Sequence, residues 1–129
     1  MDVLISIKPQ YVKQIVMNQK KYEYRKAIFK EKNISKIYIY STAPDKVIIG
    51  YFRYTGYLVG TPSEIWHLTK SYAGLSKEKF FIYFNNKNIA YALIISNFKI
   101  YQNPINPYKL NPDFVPPQSY MYIHGEYLP

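Results

Sequence analysis

The nine-residue stretch 18–26, with the sequence NQKKYEYRK, limits the fold more than any other part of the chain. The flanking pattern predicts a turn that leads into a β-strand. Side chains on a strand alternate between its two faces, so three charged residues (Lys21, Glu23 and Arg25) share one face and the two intervening tyrosines share the other. If the tyrosines face the core, the charges form a solvated row. If the charges face inward, they need partners or a ligand, because an unpaired buried charge costs several kcal/mol. Composition alone allows both arrangements.

Basic residues are concentrated in the first third of the chain. The net charge is +9 at pH 7, and the segment 8–36 holds nine basic and two acidic residues, which gives +7 of it. The basic residues of this segment are Lys8, Lys13, Lys20, Lys21, Arg25, Lys26, Lys30, Lys32 and Lys36. Such a field attracts polyanions, of which nucleic acid is the commonest. The alternative is a compositional bias toward lysine that yields only a soluble basic surface.

Length and composition bound the class of protein. A chain of 129 residues with 48% hydrophobic content predicts one folded domain, spanning residues 1–129, with a real core. Cysteine is absent, which excludes disulfides, thiolate catalysis and cysteine metal sites. With His67 and His124 as the only histidines, we expect no protein-ligated zinc and no cofactor. No apolar run approaches the ~20 residues of a membrane span, and the segment 1–4 lacks signal-peptide features, so we expect a cytoplasmic protein.

The first elements follow from periodicity. The segment 3–7 is a short apolar strand, and Pro9 suits the first turn of the helix that follows. The apolar face of that helix is predicted to consist of Val12, Ile15, Val16 and Gln19. Asn18 is expected to end the helix, because asparagine tolerates a positive φ better than most residues.

Three further β segments are predicted at 36–40, 47–59 and 89–101. Gly50 and Gly56 within the second of them suggest bends or bulges. Between the last two segments lie two short helices, one opened by a capping box at 61–64 and one capped by Ser76. The inward face of the first of these helices is predicted to be Ile65, Leu68, Thr69 and Tyr72, with Gly74 as its stop.

The C-terminal segment is rich in proline and is predicted to wrap the body as an irregular tail. Its apolar anchors are expected to be Ile105, Leu110, Phe114, Tyr120 and Tyr122. Several strands with one early helix and a pair of short helices between strands predict an α+β fold built on a small closed or partly closed β-barrel.

Three segments together resemble the ASCH family of small PUA-like barrels, which are related to domains that bind RNA or read modified bases. They are the runs 4–9 (LISIKP), 18–25 (NQKKYEYR) and 116–120 (PPQSY). The family motif is G-x-K-x-x-E-x-R after the first helix. Lys20, Glu23 and Arg25 match it, whereas Asn18 stands in place of the glycine. Asparagine can adopt the same backbone conformation.

The resemblance implies a ligand cleft beside a PUA-like β-barrel, facing the first helix. Arg25 would offer a bidentate fork and Lys20 a point charge to phosphate, while Glu23 would accept hydrogen bonds from exocyclic amines or orient the cations. The alternative is that Glu23 and Arg25 form only a structural ion pair. The full set of candidate ligand-binding residues is Lys8, Lys20, Lys21, Glu23, Arg25, Trp66, Gln118, Ser119 and Tyr120.

Trp66 lies at the margin of its helix's apolar face. A tryptophan there can stack on a base, although it can also simply cap the core. His67 is predicted to face solvent and to be inert. The 118–120 group would lend amide and hydroxyl contacts to the cleft.

Three function classes compete. The first is a non-catalytic module that binds RNA or a nucleotide, with a modified base as one ligand. The second is a small amidohydrolase acting on acylated cytidine nucleosides, which would use a lysine, a threonine and a glutamate. Lys20 matches that lysine, but Glu23 stands in the threonine's place and the glutamate has no match. The third is a regulatory protein-interaction module.

Overall fold

The computed structural model describes residues 1–125. It contains two β-sheets, with helices on one side and a folded C-terminal segment on the other. The described elements are β1 (Asp2–Ile7), α1 (Pro9–Val16), β2 (Tyr22–Arg25), β3 (Lys36–Ser41), β4 (Val47–Arg53), β5 (Tyr57–Gly60), α2 (Pro62–Thr69), α3 (Lys77–Tyr83), β6 (Ala90–Ile94), β7 (Lys99–Ile105), α4 (Pro107–Leu110) and β8 (Tyr120–Ile123). A short 3₁₀ turn, Lys70–Tyr72, follows α2. The α+β prediction is confirmed.

The strands form a five-stranded sheet in the order β7-β4-β3-β1-β8 and a three-stranded sheet in the order β2-β6-β5. In the larger sheet β1 and β3 are parallel, and all the other pairs are antiparallel. The smaller sheet is antiparallel throughout. In the part of the chain that the structure describes the strands belong to two separate sheets, so the small-barrel prediction is not confirmed.

Both faces of the larger sheet are covered. One face, which carries Val3, Ile5 and Ile37, packs with α1 and with Leu93 of the smaller sheet. The opposite face carries Leu4, Tyr38 and Tyr40, and it is covered by Phe114 from the C-terminal segment. The far face of the smaller sheet forms a third cluster with α2 and α3. The order of layers is therefore C-terminal segment, large sheet, small sheet with α1, and the helix pair.

Two of the long β segments predicted from the sequence are each divided between the two sheets. Gly56, at φ 126°, separates β4 from β5, and Asn97, at φ 52°, lies between β6 and β7. A positive φ lets the backbone turn sharply enough for the next strand to join the other sheet. Gly50 lies at a register shift between β4 and β7, as its predicted bulge requires, and a side chain there would collide with the carbonyl oxygen of Lys99.

The first helix ends as predicted, with Asn18 at φ 60°. Val12 and Ile15 are buried, but Val16 is exposed, and Gln19 is exposed and lies beyond the end of the helix, so two of the four residues predicted for the apolar face are wrong. The predicted capping box of α2 is present: Thr61 Oγ1 accepts from the Glu64 amide at 3.2 Å, and the Glu64 carboxylate accepts from the Thr61 amide at 3.1 Å.

The inward face predicted for α2 is partly wrong. Ile65 and Thr69 are buried, but Leu68 is 63% exposed and Tyr72 is 44% exposed. At about 100° per residue, the buried arc runs from Ile65 through Thr69 toward Trp66. Trp66 packs on Phe80 of α3, so the position of the neighbouring helix rotates the buried face away from Leu68.

The C-terminal segment is more regular than predicted. It contains α4 and β8, and β8 pairs with β1 as the edge strand of the large sheet. Phe114 is buried as expected, whereas Leu110 is 58% exposed and is not an anchor. The short strand β8 lacks a long alternating pattern, which is why composition suggested an irregular tail.

Candidate functional site

Strand β2 is an edge strand of the small sheet, yet both of its faces are covered. Tyr24 packs edge-on against Phe80 of α3, with ring centroids 4.9 Å apart. Glu23 pairs in register with Leu93, whose side chain belongs to the core between the two sheets. Because directly paired residues share a face, Glu23 and Arg25 point toward the space between the sheets. The tyrosines and the charges are thus both turned inward, on opposite faces of the strand.

Arg25 is the most constrained residue of this site. Its side chain is 8% exposed, and its Nη2 lies 3.3 Å from Glu23 Oε2. Nη1 donates a 2.7 Å hydrogen bond to Ser119 Oγ. Nε and Nη2 have no hydrogen-bond partner among the described residues. These two nitrogens form the side-on edge of the guanidinium, which is the edge that holds carboxylate or phosphate in a bidentate manner.

The segment 117–120 is brought to Arg25 by its attachment to β1. Ser6 Oγ donates to the Pro117 carbonyl at 2.7 Å, and Tyr120 pairs with Ile5. Ser119 is exposed, and Tyr120 is half-buried against the Phe29 ring at 4.9 Å. Gln118 is exposed. The structure therefore joins Ser119 directly to the motif strand and places its two neighbours beside it.

Lys20 is enclosed and only 3% exposed. Its Nζ donates to the Ala73 carbonyl at 2.6 Å and lies 5.4 Å from the Tyr11 ring centroid and 4.9 Å from that of Tyr24. Burial lowers the pKa of Lys20 to about 8, and the nearby Glu23 carboxylate acts in the opposite direction. This ammonium is held among aromatic rings and a carbonyl, beside Glu23.

The other predicted site residues are dispersed. Lys21 stacks over the Tyr72 ring at 4.1 Å, at the start of β2. Lys8 is exposed and precedes α1. Trp66 lies on the opposite side of the small sheet from Arg25, packed against Phe80 at 5.1 Å, as in the core-capping alternative. His67 is exposed as predicted.

A cavity of about 320 Å³ lies at the start of β2. The cavity was not predicted from the sequence. The motif residue Lys20 is part of its wall, and the lining consists of Ile15, Asn18, Lys20, Lys21, Ile95, Ser96, Asn97 and Phe98. We call it the Asn97 cavity. The signal in the sequence was the Ser96-Asn97 pair between apolar runs, which marks a turn between strands.

Within residues 1–125, no group of three or more histidine, aspartate or glutamate side chains is arranged to hold a metal ion. The helices of this same region include none that is long and apolar enough to cross a membrane.

Comparisons with known proteins show what this chain is similar to. No protein-family model matches the sequence. The curated "ASCH domain-containing ribonuclease" of Zymomonas mobilis is 28% identical over 131 residues, covering 97% of this chain and 86% of that protein. The crystal structure of ASCH from Zymomonas mobilis matches with a TM-score of 0.87 at 27% identity, covering 97% of this chain and 89% of the other. A tyrosine-to-phenylalanine variant of that protein matches with a TM-score of 0.86 at 26% identity, covering 97% and 91%.

The two-sheet fold, with a lysine, a glutamate and an arginine on and before its edge strand, is similar to these ASCH structures over nearly the whole chain. The sequence and structure comparisons together support an ASCH domain.

Proposed function

We propose that this domain binds RNA and that Arg25 holds one backbone phosphate. The observation that carries the proposal is the Nε and Nη2 edge of a guanidinium that is only 8% exposed: neither atom has a hydrogen bond among the described residues, and Nη2 has only the ion pair with Glu23 at 3.3 Å. Buried polar atoms in proteins are nearly always hydrogen-bonded, so an edge without a hydrogen bond favours a further oxygen acceptor. Phosphate fits that edge with two parallel charge-assisted hydrogen bonds.

The neighbours of Arg25 preorganise it for this role. Glu23 and Ser119 fix the guanidinium from two sides, at 3.3 Å and 2.7 Å. Fixing a side chain before the ligand arrives reduces the entropy lost on binding. The net charge of +9 adds a long-range field that attracts a polyanion. The ribonuclease name of the Zymomonas mobilis relative supports RNA as that polyanion.

Glu23 carries the proposal that a base is read next to this phosphate. Its side chain is 15% exposed, and its carboxylate can accept a hydrogen bond from the exocyclic amine of cytosine or adenine. A substituent on that amine would remove or redirect the contact. Selection between a modified and an unmodified base would therefore fall to Glu23.

RNA cleavage is a second candidate function, favoured by one observation in addition to the relative's name. The pKa of Lys20 is lowered by burial to about 8, which lets its amine exchange a proton near neutral pH, as a general acid or base requires. The acylated-cytidine amidohydrolase has less support. Lys20 Nζ donates its hydrogen bond to a backbone carbonyl, and within residues 1–125 it has no hydrogen bond to a hydroxyl that could act as a nucleophile.

The test of RNA binding is fluorescence anisotropy with a labelled octauridylate at 50 and 200 mM salt, with the matching thymidine DNA alongside. Affinity should fall about 7- to 20-fold over this range if two or three phosphates are bound. Absence of binding, or an affinity that does not depend on salt, would contradict the proposal. Gel analysis of the same RNA after prolonged incubation tests cleavage: fragments that are absent with Lys20→Met would favour the second candidate.

A further inference from the structure

The Asn97 cavity lies at the opposite end of β2 from Arg25. Its volume of about 320 Å³ is near the lower limit of the ~300–1,000 Å³ typical of small-molecule sites. It is bounded by the C-terminal end of α1, the start of β2 and the connection from β6 to β7. None of the contacts made by Arg25 involves it.

The inner walls of the cavity are apolar and rigid. Ile15 is 2% exposed and Ile95 is 6% exposed, so both are fixed parts of the core. Phe98 is half-buried, and the para carbon of its ring would lie 2.9 Å from a Cβ atom at position 50. The absence of a side chain at Gly50 therefore leaves room for the tip of this ring beside β4. An aromatic ring in a cavity wall is a surface on which a base can stack.

The rim of the cavity is polar. Asn18 and Asn97 are both exposed, and both adopt left-handed backbone conformations, with φ of 60° and 52°. Glycine would adopt these left-handed backbone conformations at least as readily as asparagine, so the side-chain amides are not needed for the turns. A carboxamide offers a donor and an acceptor together, which is the combination that pairs with the edge of a nucleobase.

Lys21 supplies a positive charge at the same rim. Its ammonium is held over the Tyr72 ring at 4.1 Å, which restricts its position. The alpha carbons of Lys21 and Arg25 are separated by four strand residues, ~13 Å. A phosphate at Arg25 and a base in the cavity would therefore belong to different nucleotides of one strand.

We infer that the Asn97 cavity is a subsite for the base of a second nucleotide of the bound RNA, which stacks on Phe98 and is read by the amides of Asn18 and Asn97. This inference rests on the proposed RNA binding. It assigns the cavity to a single-stranded RNA, because a base in a duplex could not enter it.

The test replaces both asparagines by glycine, which keeps the left-handed backbone and removes the amides. The Asn18→Gly/Asn97→Gly protein should bind the labelled octauridylate about fivefold or more weakly than wild type, with an unchanged melting temperature. The matched control is Asn86→Gly, at an exposed left-handed position (φ 63°) after α3 and away from the cavity, whose affinity should stay within about twofold of wild type. Phe98→Leu, which keeps an apolar wall and removes the ring, should also weaken binding.

Arg25→Lys measured in parallel separates the two proposals. If Arg25→Lys weakens binding while the double glycine protein binds like Asn86→Gly, the cavity inference is overturned and the phosphate site stands. If the double glycine protein binds weakly and Arg25→Lys binds like wild type, the cavity is supported and the phosphate site is overturned. If wild type does not bind the RNA at all, both are overturned.

Discussion

Arg25 donates a 2.7 Å hydrogen bond from Nη1 to Oγ of Ser119, a residue 94 positions later in the chain. This bond joins the motif strand β2 of the small sheet to the segment that precedes β8 of the large sheet. It also occupies one end of the guanidinium, so that the Nε and Nη2 edge, where Nη2 faces the Glu23 carboxylate at 3.3 Å, is the part without a hydrogen bond. The site is therefore assembled from both ends of the described chain and depends on the docking of the C-terminal segment.

The orientation of α2 gives a prediction with a matched control on one helix. Ile65→Ala should lower the free energy of unfolding by about 2–5 kcal/mol, because Ile65 is fully buried against the small sheet. Leu68→Ala, which removes a side chain that is 63% exposed, should cost less than about 0.5 kcal/mol. Urea denaturation measures both. Equal losses would mean that the helix is rotated from the orientation described above.

The hydroxyl of Tyr24 gives a second prediction. It shares a buried 2.7 Å hydrogen bond with Thr69 Oγ1, which ties β2 to α2. Tyr24→Phe should lower the free energy of unfolding by about 0.5–1.5 kcal/mol, the usual net value of one such bond. Tyr72→Phe, at a position that is 44% exposed, is the control and should change stability little. A Tyr24→Phe protein as stable as wild type would argue against the bond.

Lys20 makes stability depend on pH in a defined direction. Its folded-state pKa of about 8 lies below the ordinary value of 10.5, so between these pH values the unfolded chain binds more protons than the folded one. Stability should therefore rise with pH above about 8, by at most about 1.4 kcal/mol per pH unit. The rise should be absent in Lys20→Met.

The measurement is best confined to pH 7–9.5. Burial raises the pKa of Tyr24 to about 12, so above pH 10 the unfolded tyrosine ionises first and stability falls again. Urea unfolding curves of wild type and Lys20→Met over this range give the difference directly. Parallel pH profiles for the two proteins would contradict the lowered pKa.

Much of the fold could be predicted from local patterns. The early helix, its left-handed end at Asn18 and the capping box of α2 follow from residue types whose effects are local. The division of the long β segments was not predictable in this way. A positive φ at Gly56 or Asn97 is allowed by the sequence, but the change of sheet depends on which partner strands are available.

The candidate site was predicted in part for a similar reason. Alternation on β2 correctly separated the tyrosines from Glu23 and Arg25, but it could not show that both faces are covered. Leu68 was wrongly assigned to the buried face of α2. Helical spacing shows which residues share a face, but packing against α3 decides which face is buried. The cavity beside Asn97 is formed by three separate segments, so no single stretch of sequence contains it.

The central claim is that the Nε and Nη2 edge of Arg25 binds an RNA phosphate, and the Arg25→Lys protein tests it most directly. Lysine keeps the positive charge but loses the bidentate edge, so affinity for the labelled octauridylate should fall by about 1–3 kcal/mol, or about 5- to 150-fold. The melting temperature should change little, because the charge opposite Glu23 is kept. If Arg25 is only a structural partner of Glu23, the Arg25→Lys protein should instead melt lower and bind RNA as tightly as wild type in its folded fraction. Lost affinity at an unchanged melting temperature is the result we predict, and retained affinity in a destabilised protein would contradict it.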